Sequence, residues 1–399
     1  MIVGVVGKAN VGKSTFFKAS TLAEVEIANY PFATIDPNTG VGHVKVKDPA
    51  IDFDKVSNPR NGFVINDSRF IGVQMIDVAG LVPGAHLGHG MGNQFLDDLR
   101  QADVLIHVID VAGTTNEKGE SINPGEYDPA NDVKFLEVEL DMWYLGILKK
   151  GWEKFARTVM QEKREIHIAL GKQLSGLKVT EDMVGDAIKE LGLDKDKPNA
   201  WEEDDLKRIA TILRKKTKPM IIACNKIDVP GAKDNYDKLK LEFTDHLFIA
   251  CSAESELALR EAAKAELIEY VPGEESFLNL NEEKMNEKQK AALNFIRENI
   301  LEKFGTTGVQ QTLDKAVFEL LEYIAIFPGG VSKLEDSEGR CLPDCFLMPP
   351  GTTAVDFAFH LHTDLGNNFV RAVDIRTKQS MKKDAPLKHR DMIEILHSK

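Results

Sequence analysis

Cysteine is scarce. Four residues in 399 are too few for the disulfide framework of a small secreted domain. Cys224 and Cys251 sit in apolar, strand-like runs and read as buried, reduced thiols. Cys341 and Cys345 are spaced C-x3-C, with no second pair to complete a zinc site. No window approaches 18 consecutive apolar residues, so no membrane span is expected. The opening MIVGVVGKAN lacks the basic start and long apolar stretch of a signal peptide, and a cytoplasmic protein is expected. Positive charge is also in deficit: 50 Lys and Arg stand against 63 Asp and Glu, a net of −13. That excludes a globally basic nucleic-acid coat, so any nucleic-acid contact must be local. Low-complexity and disordered classes are excluded too, because 43% apolar and 28% charged residues are ordinary globular values.

What is present is a series of short apolar runs. Residues 2–7, 70–77, 104–110, 219–224 and 247–251 read as strands separated by helical stretches. The pattern implies an α/β domain with a mainly parallel sheet covered on both faces. Ligands of such sheets bind at the carboxyl ends of the strands. The interval from Asp110 to Pro219 is too long for one crossover. Within 131–175, apolar residues recur at helical spacing (Val133, Leu136, Leu140, Trp143, Ile147), and Gly151 is expected to split the stretch into two helices. Helices at about 180–191 and 203–216 complete a helical insertion, read either as a plain scaffold or as an arm that touches a large partner. The expected domains are 1–128 with 217–272 (α/β), 129–216 (insertion), 273–322 (helical linker) and 323–399 (a small α+β domain with strands and one short helix).

Gly7-Lys8-Ala9-Asn10-Val11-Gly12-Lys13-Ser14 fits G-x-x-x-x-G-K-[ST], followed by Thr15, after a strand and at the opening of a helix. The glycines let the backbone curl so that N–H groups face phosphate oxygens, and the helix N-terminus adds partial positive charge. Lys13 reaches the β- and γ-phosphates, and the Ser14 hydroxyl ligates Mg²⁺. Asp77-Val78-Ala79-Gly80 ends the next strand, with Asp77 placed for the Mg²⁺ shell and the Gly80 N–H for the γ-phosphate. Thr34, in the intervening loop, is the second hydroxyl candidate for Mg²⁺. Asn225-Lys226-Ile227-Asp228 follows the strand at 219–224. A carboxylate there accepts from guanine N1–H and the N2 amino group, which adenine lacks. Cys251-Ser252-Ala253 then offers a backbone N–H for guanine O6. GTP and GDP are the expected ligands.

NVGKST, NYPFATIDPN and DVAGLVPGAHLGHGMGNQFL together resemble the Obg family of translation-factor GTPases, specifically its YchF branch. The tail, with Pro350-Gly351-Thr352-Thr353-Ala354-Val355-Asp356-Phe357-Ala358 and His362-Thr363-Asp364-Leu365-Gly366, is similar to a TGS domain, a ubiquitin-like β-grasp module. The resemblance covers 1–128, 217–272 and 323–399. It implies a P-loop G domain, a helical insertion and a C-terminal β-grasp domain. YchF proteins often carry a variant fourth motif and prefer ATP; here NKID is intact, so guanine specificity is expected.

Leu81 occupies the position where many GTPases carry a water-orienting Gln, a hydrophobic replacement that the family shares. Leucine cannot orient water, so slow intrinsic hydrolysis is expected. Catalytic candidates are Asn10, Lys13, Thr34 and Gly80. Asn10 has two readings: help in coordinating K⁺, which would neutralise transition-state charge, or a purely geometric part in the loop. His86 and His89 read as solvated loop residues. The last 29 residues hold eight Lys or Arg and four Asp or Glu, a net of +4, against −17 for the remainder. Arg371, Arg376, Lys378, Lys382, Lys383, Lys388 and Arg390 are expected to line one strand face near Phe369 and His389, a patch suited to phosphate-backbone contact. With the resemblance, this points to a ribosome or RNA partner and not to DNA or a membrane. The functional readings are a GTP-hydrolysing switch, a nucleotide-gated ribosome- or RNA-binding module with incidental hydrolysis, and an ATP-using relative. An RNA-modifying enzyme would need a second catalytic constellation, and none is found.

Overall fold

The computed structural model describes residues 1–21, 38–78 and 98–398. The strands are β1 (Ile2–Val6), β2 (Thr39–Lys47), β3 (Phe63–Ile65), β4 (Ser68–Asp77), β5 (Val104–Asp110), β6 (Met220–Asn225) and β7 (Leu247–Ala250), then β8 (Ile268–Tyr270) and β9 (Phe277–Asn279), then β10 (Ile324–Pro328), β11 (Phe346–Met348), β12 (Phe369–Asp374), β13 (Ser380–Met381) and β14 (Met392–His397). The chain divides into two compact units. One holds residues 1–19, 75–257 and 307–309, and the other 20–74, 258–306 and 310–399.

The first unit is built on a parallel sheet. β1, β5, β6 and β7 lie side by side in that order, with Val6 opposite His107, Asp110 opposite Asn225 and Cys224 opposite Ala250. The last residues of β4 flank β1, where the Val78 N–H donates to the Val5 carbonyl at 3.0 Å. β5 and β6 are buried along their whole length, as expected of central parallel strands rich in Val and Ile. Burial holds His107 neutral, with its pKa lowered to about 3, because a charged imidazole would lose its hydration there.

Helix α1 (Lys13–Thr21) follows β1. Between β5 and β6 the chain forms α2 (Ala130–Lys149), α3 (Trp152–Gln161), α4 (Ile166–Gln173), α5 (Glu181–Leu191) and α6 (Glu203–Thr217). The apolar stripe of α2 (Val133, Leu136, Leu140, Tyr144, Leu148) and that of α6 (Leu206, Ile209, Ala210, Leu213) are buried, and the two helices pack together. Their contact also encloses Arg214, 3% exposed, whose guanidinium bonds Asp141 at 2.8 Å and Glu137 at 3.2 Å. The stretch from 131 to 175 forms three helices where the spacing predicts two. Gly151, at φ 75°, makes the expected break. A second break follows at Lys163, φ 50°; the apolar positions Val159 and Ile166 are buried on either side, so a turn fits inside an unbroken hydrophobic pattern. Helices α7 (Ala232–Glu242) and α8 (Ala253–Lys264) flank β7.

In the second unit β2 neighbours β4, and β3 pairs antiparallel with β4, Phe63 opposite Phe70. β8 and β9 form a small hairpin. Helix α9 (Glu287–Ile296) opens with an Asn286–Gln289 capping box and runs into a π-helical turn. α10 (Val309–Lys315) follows. The last sheet has the order β11-β10-β14-β12-β13, with β10 and β14 parallel and the other pairs antiparallel. Helix α11 (Ala354–Leu361) closes its core through Phe357, against Ile326, Met348, Ala372 and Ile393. A second short helix, α12 (Thr363–Asn367), follows where one helix is predicted, because the His362 side chain caps a new turn by accepting from the Asp364 N–H. The β-grasp sheet is tied within this unit to the segment around β3. The buried Arg69 donates to the carbonyls of Leu342 and Pro343 at 3.1 and 3.0 Å, and Arg60 bonds Asp336 and Asp344.

The four cysteines are free thiols. Burial pushes the Cys224 and Cys251 thiols well up, so both stay protonated. No group of three metal-ligating side chains gathers among the described residues, and no described helix is long and apolar enough to cross a membrane.

Candidate functional site

The loop 7–14 joins β1 to α1 at the carboxyl edge of the sheet. Close approach dictates its glycines. A Cβ on Gly7 would lie 2.5 Å from the Val108 carbonyl oxygen, and one on Gly12, at φ 91°, would lie 2.2 Å from Asn225 Nδ2. Asn10 takes φ 62°, a left-handed conformation that Asn tolerates better than most residues. The first turn of α1 closes with Phe16 N–H to the Gly12 carbonyl at 2.9 Å. Lys13 forms an ion pair with Asp77 at the end of β4. Ser14 and Thr15 sit in the first turn of α1, with Ser14 exposed.

Asn225, at the end of β6 and 4% exposed, uses both ends of its amide. Nδ2 donates to the Val11 carbonyl at 2.8 Å, and Oδ1 accepts from the Ala253 N–H at 2.9 Å. One side chain thus links the loop 7–14 to the segment after β7. Lys226, at φ 64°, turns its amine to Asp110 at 2.9 Å and Thr114 at 3.0 Å. The Ile227 N–H donates to the Cys251 carbonyl, and the Ser252 N–H to the Thr307 carbonyl. Gly308, at φ 83°, lies so close that a Cβ would meet the Ala250 carbonyl oxygen at 1.9 Å. Thr307 and Gly308 therefore brace the segment after β7. Asp228 is half-buried, and none of its neighbours among the described residues is seen to pair with its carboxylate.

Within the first unit the structure brings together Gly7, Lys8, Ala9, Asn10, Val11, Gly12, Lys13, Ser14, Thr15, Asp77, Asn225, Lys226, Asp228, Ser252 and Ala253 at the carboxyl ends of β1, β4, β6 and β7. Thr34, Gly80, Leu81, His86 and His89 lie outside the described residues. Two members are committed elsewhere by their side chains. Lys8 is buried against Thr115 and Asp132, and Asn10 Nδ2 donates to the Gly119 carbonyl at 2.9 Å. Asp110 is a participant that the sequence reading missed. Its carboxylate takes Lys226, both hydrogen-bonding groups of Thr114, and the Thr115 hydroxyl. An Asp ending an apolar strand was the available signal.

The residues fit Mg²⁺. A hydroxyl at Ser14 and a carboxylate at Asp77 are hard oxygen donors, and Mg²⁺ is ordinarily held by one or two protein oxygens, with phosphates and waters completing the shell.

In the C-terminal sheet, the basic residues do not line one strand face as expected. Arg371 lies on β12, whereas Arg376, Lys378, Lys382, Lys383, Lys388 and Arg390 lie in the turns around β13 and before β14. Arg376 is used structurally, bonding Asp52 at 2.7 Å and the Arg390 carbonyl, and Arg390 Nε donates to the Lys47 carbonyl. His389 accepts from the Ala325 N–H and packs edge-on against Phe318. Arg371, Lys378, Lys382, Lys383 and Lys388 are left exposed.

Three parts of the chain match known families. Residues 2–136 match the model of the 50S ribosome-binding GTPases, 223–330 that of the Obg-like GTPase YGR210-like G4 motif-containing domain, and 336–397 the TGS domain. An uncharacterized GTP-binding protein of Methanocaldococcus jannaschii is 47% identical over 99% of this chain and 98% of its own. The ribosome-binding ATPase YchF of Haemophilus influenzae is 28% identical over 92% of this chain and 86% of its own. The crystal structure of a GTP-binding protein from Pyrococcus horikoshii superposes over the full length of both chains, with a TM-score of 0.79 and 38% identity.

Proposed function

The chain belongs to the Obg-like, YchF-type GTP-binding proteins, and from that premise we propose that it binds GTP with Mg²⁺, hydrolyses it slowly to GDP and phosphate, and serves as a switch read by the ribosome or an RNA. The observation that carries the reading is the Asn225 amide. It fixes the loop 7–14 and the segment at Ala253 together, beside the Asp228 carboxylate. Phosphate and base recognition are thereby held in one rigid frame.

In this reading the backbone N–H groups of 8–14 face the phosphates, and Lys13 exchanges Asp77 for the β- and γ-phosphate oxygens. Ser14 and the released Asp77 would hold Mg²⁺, which would supply neutralisation of charge on the β- and γ-phosphates. Asp228 accepts from guanine N1–H and N2; the Ser252 and Ala253 N–H groups donate to the Thr307 carbonyl and to Asn225 Oδ1, so a contact with O6 requires one of these bonds to be shared. Water attacks the γ-phosphorus, the bond to the β–γ bridging oxygen breaks, and GDP and phosphate leave. Leu81 supplies no group to orient that water, so turnover is slow without a partner. The bond from Asn10 Nδ2 to the Gly119 carbonyl gives Asn10 a part in the loop geometry and is compatible with K⁺ coordination, which would use the other amide atom, Oδ1.

The partner assignment rests on two supports: the ribosome-binding names of the YchF relatives and the exposed lysines of the C-terminal sheet. GTP turnover measured with and without ribosomes, alongside co-sedimentation, tests it. Strong stimulation with nucleotide-dependent co-sedimentation supports the switch. Nucleotide-dependent binding without stimulation supports a gated binding module.

A further inference from the structure

Three consecutive residues of the loop 7–14 are held by the segment 115–132. Lys8 is 6% exposed. Its amine lies 2.9 Å from both oxygens of Asp132, 3.0 Å from the Thr115 carbonyl and 3.8 Å from the centre of the Tyr127 ring. The Tyr127 hydroxyl donates to the same Asp132 at 2.9 Å. Ala9, itself exposed, lies against Gly119, at φ 79°, where a Cβ would lie 2.7 Å from both the Ala9 Cβ and its carbonyl oxygen. Asn10 donates to the Gly119 carbonyl. The gripping segment is itself stiff. Thr115 bridges to Ser121, and the Asn116 side chain accepts from the Lys118 and Glu120 N–H groups. Asp132 stands in the first turn of α2, the helix that begins the insertion.

A lysine in a phosphate loop would ordinarily be read as a phosphate ligand. This one is spent on a buried carboxylate and an aromatic face, so only its backbone N–H remains for a nucleotide. Its side chain instead fixes the path of the main chain through residues 8–10. Those are the residues whose N–H directions decide how well the loop fits phosphate oxygens, and small misplacements of such groups are costly.

We propose that Lys8 is a positioning residue for the nucleotide, acting through Asp132 and Tyr127 rather than on phosphate, so that the first turn of the insertion helix sets the phosphate affinity of the loop. The inference rests on the nucleotide-binding reading above. By reciprocity, whatever restrains the start of α2 changes nucleotide affinity, and nucleotide changes that restraint.

A double-mutant cycle in the full chain tests it. K8M and D132N each leave one buried charge without its partner, whereas K8M/D132N removes both and avoids that penalty. Y127F takes only a hydroxyl. GDP affinity is measured for each, together with amide hydrogen exchange at residues 8–13 in nucleotide-free protein. The expected result is about a tenfold loss of affinity for each single charge variant, no further loss in the double variant, and a two- to threefold loss in Y127F. Exchange at 8–13 should quicken at least fivefold in all but Y127F. Unchanged affinity and exchange in D132N, with the whole loss confined to K8M, would place Lys8 on the phosphate and overturn the proposal. Failure of the wild-type chain to bind GDP would instead overturn the nucleotide reading, while the exchange data would still judge the Lys8–Asp132 grip.

Discussion

Asn225 donates to the carbonyl of Val11, 214 positions earlier in the chain, at 2.8 Å in a buried setting. The same amide accepts from Ala253, so its loss strands two buried backbone groups, each at a cost of about 1–3 kcal/mol. Asn225→Ala is expected to lower both the unfolding midpoint and GDP affinity, the latter by at least tenfold. Asn225→Asp keeps an acceptor for Ala253 but no donor for Val11, and should fall between. Thermal unfolding with calorimetric GDP titration reads both effects.

The insertion has its own acid sensitivity. Glu137 lies 3.3 Å from His246 Nε2 and 3.2 Å from Arg214. The hydrogen bond from His246, followed by the charge of Arg214, holds its carboxyl down to about 2 against an ordinary 4.5. The folded pKa lies below the unfolded one. The contribution is therefore fully present above pH 4.5 and is lost as pH falls through about 2, amounting to no more than about 3 kcal/mol. Wild-type stability should drop more steeply across that window than that of Glu137→Gln. Denaturant unfolding at several pH values checks this, and parallel curves would refute it.

The exposed lysines of the C-terminal sheet carry a separate expectation. Reversing Lys378, Lys382 and Lys383 to Glu should weaken ribosome or RNA co-sedimentation and flatten its salt dependence. GDP affinity should stay unchanged, since none of the three belongs to the nucleotide site. Arg376 is a poor choice for such a test because its guanidinium bonds Asp52.

The strand ends were the most legible part of the chain. The parallel strands are short, mainly apolar runs, and the residues that follow them carry the chemistry, so Gly7 to Ser14, Asp77 and Asn225 to Asp228 could be placed from local pattern alone. β2 escaped notice. TGVGHVKVK mixes Gly with charge and becomes a strand through its neighbour β4. The grip of Asp132 on Lys8 was illegible for another reason: the partner lies 124 positions away, and nothing local announces a tertiary ion pair. The basic tail misled because charge counts carry no geometry. Those residues fall in turns, and Arg376 and Arg390 serve packing.

The central claim is guanine recognition through Asp228 in an intact NKID motif. Titrating GDP and ADP into the same full-length protein with Mg²⁺ tests it most directly, with Asp228→Asn as the control. GDP should bind at least 100-fold more tightly than ADP, because adenine leaves the carboxylate without its two donors, and the variant should lose most of that margin. Equal affinities of the wild-type protein for GDP and ADP would contradict the account.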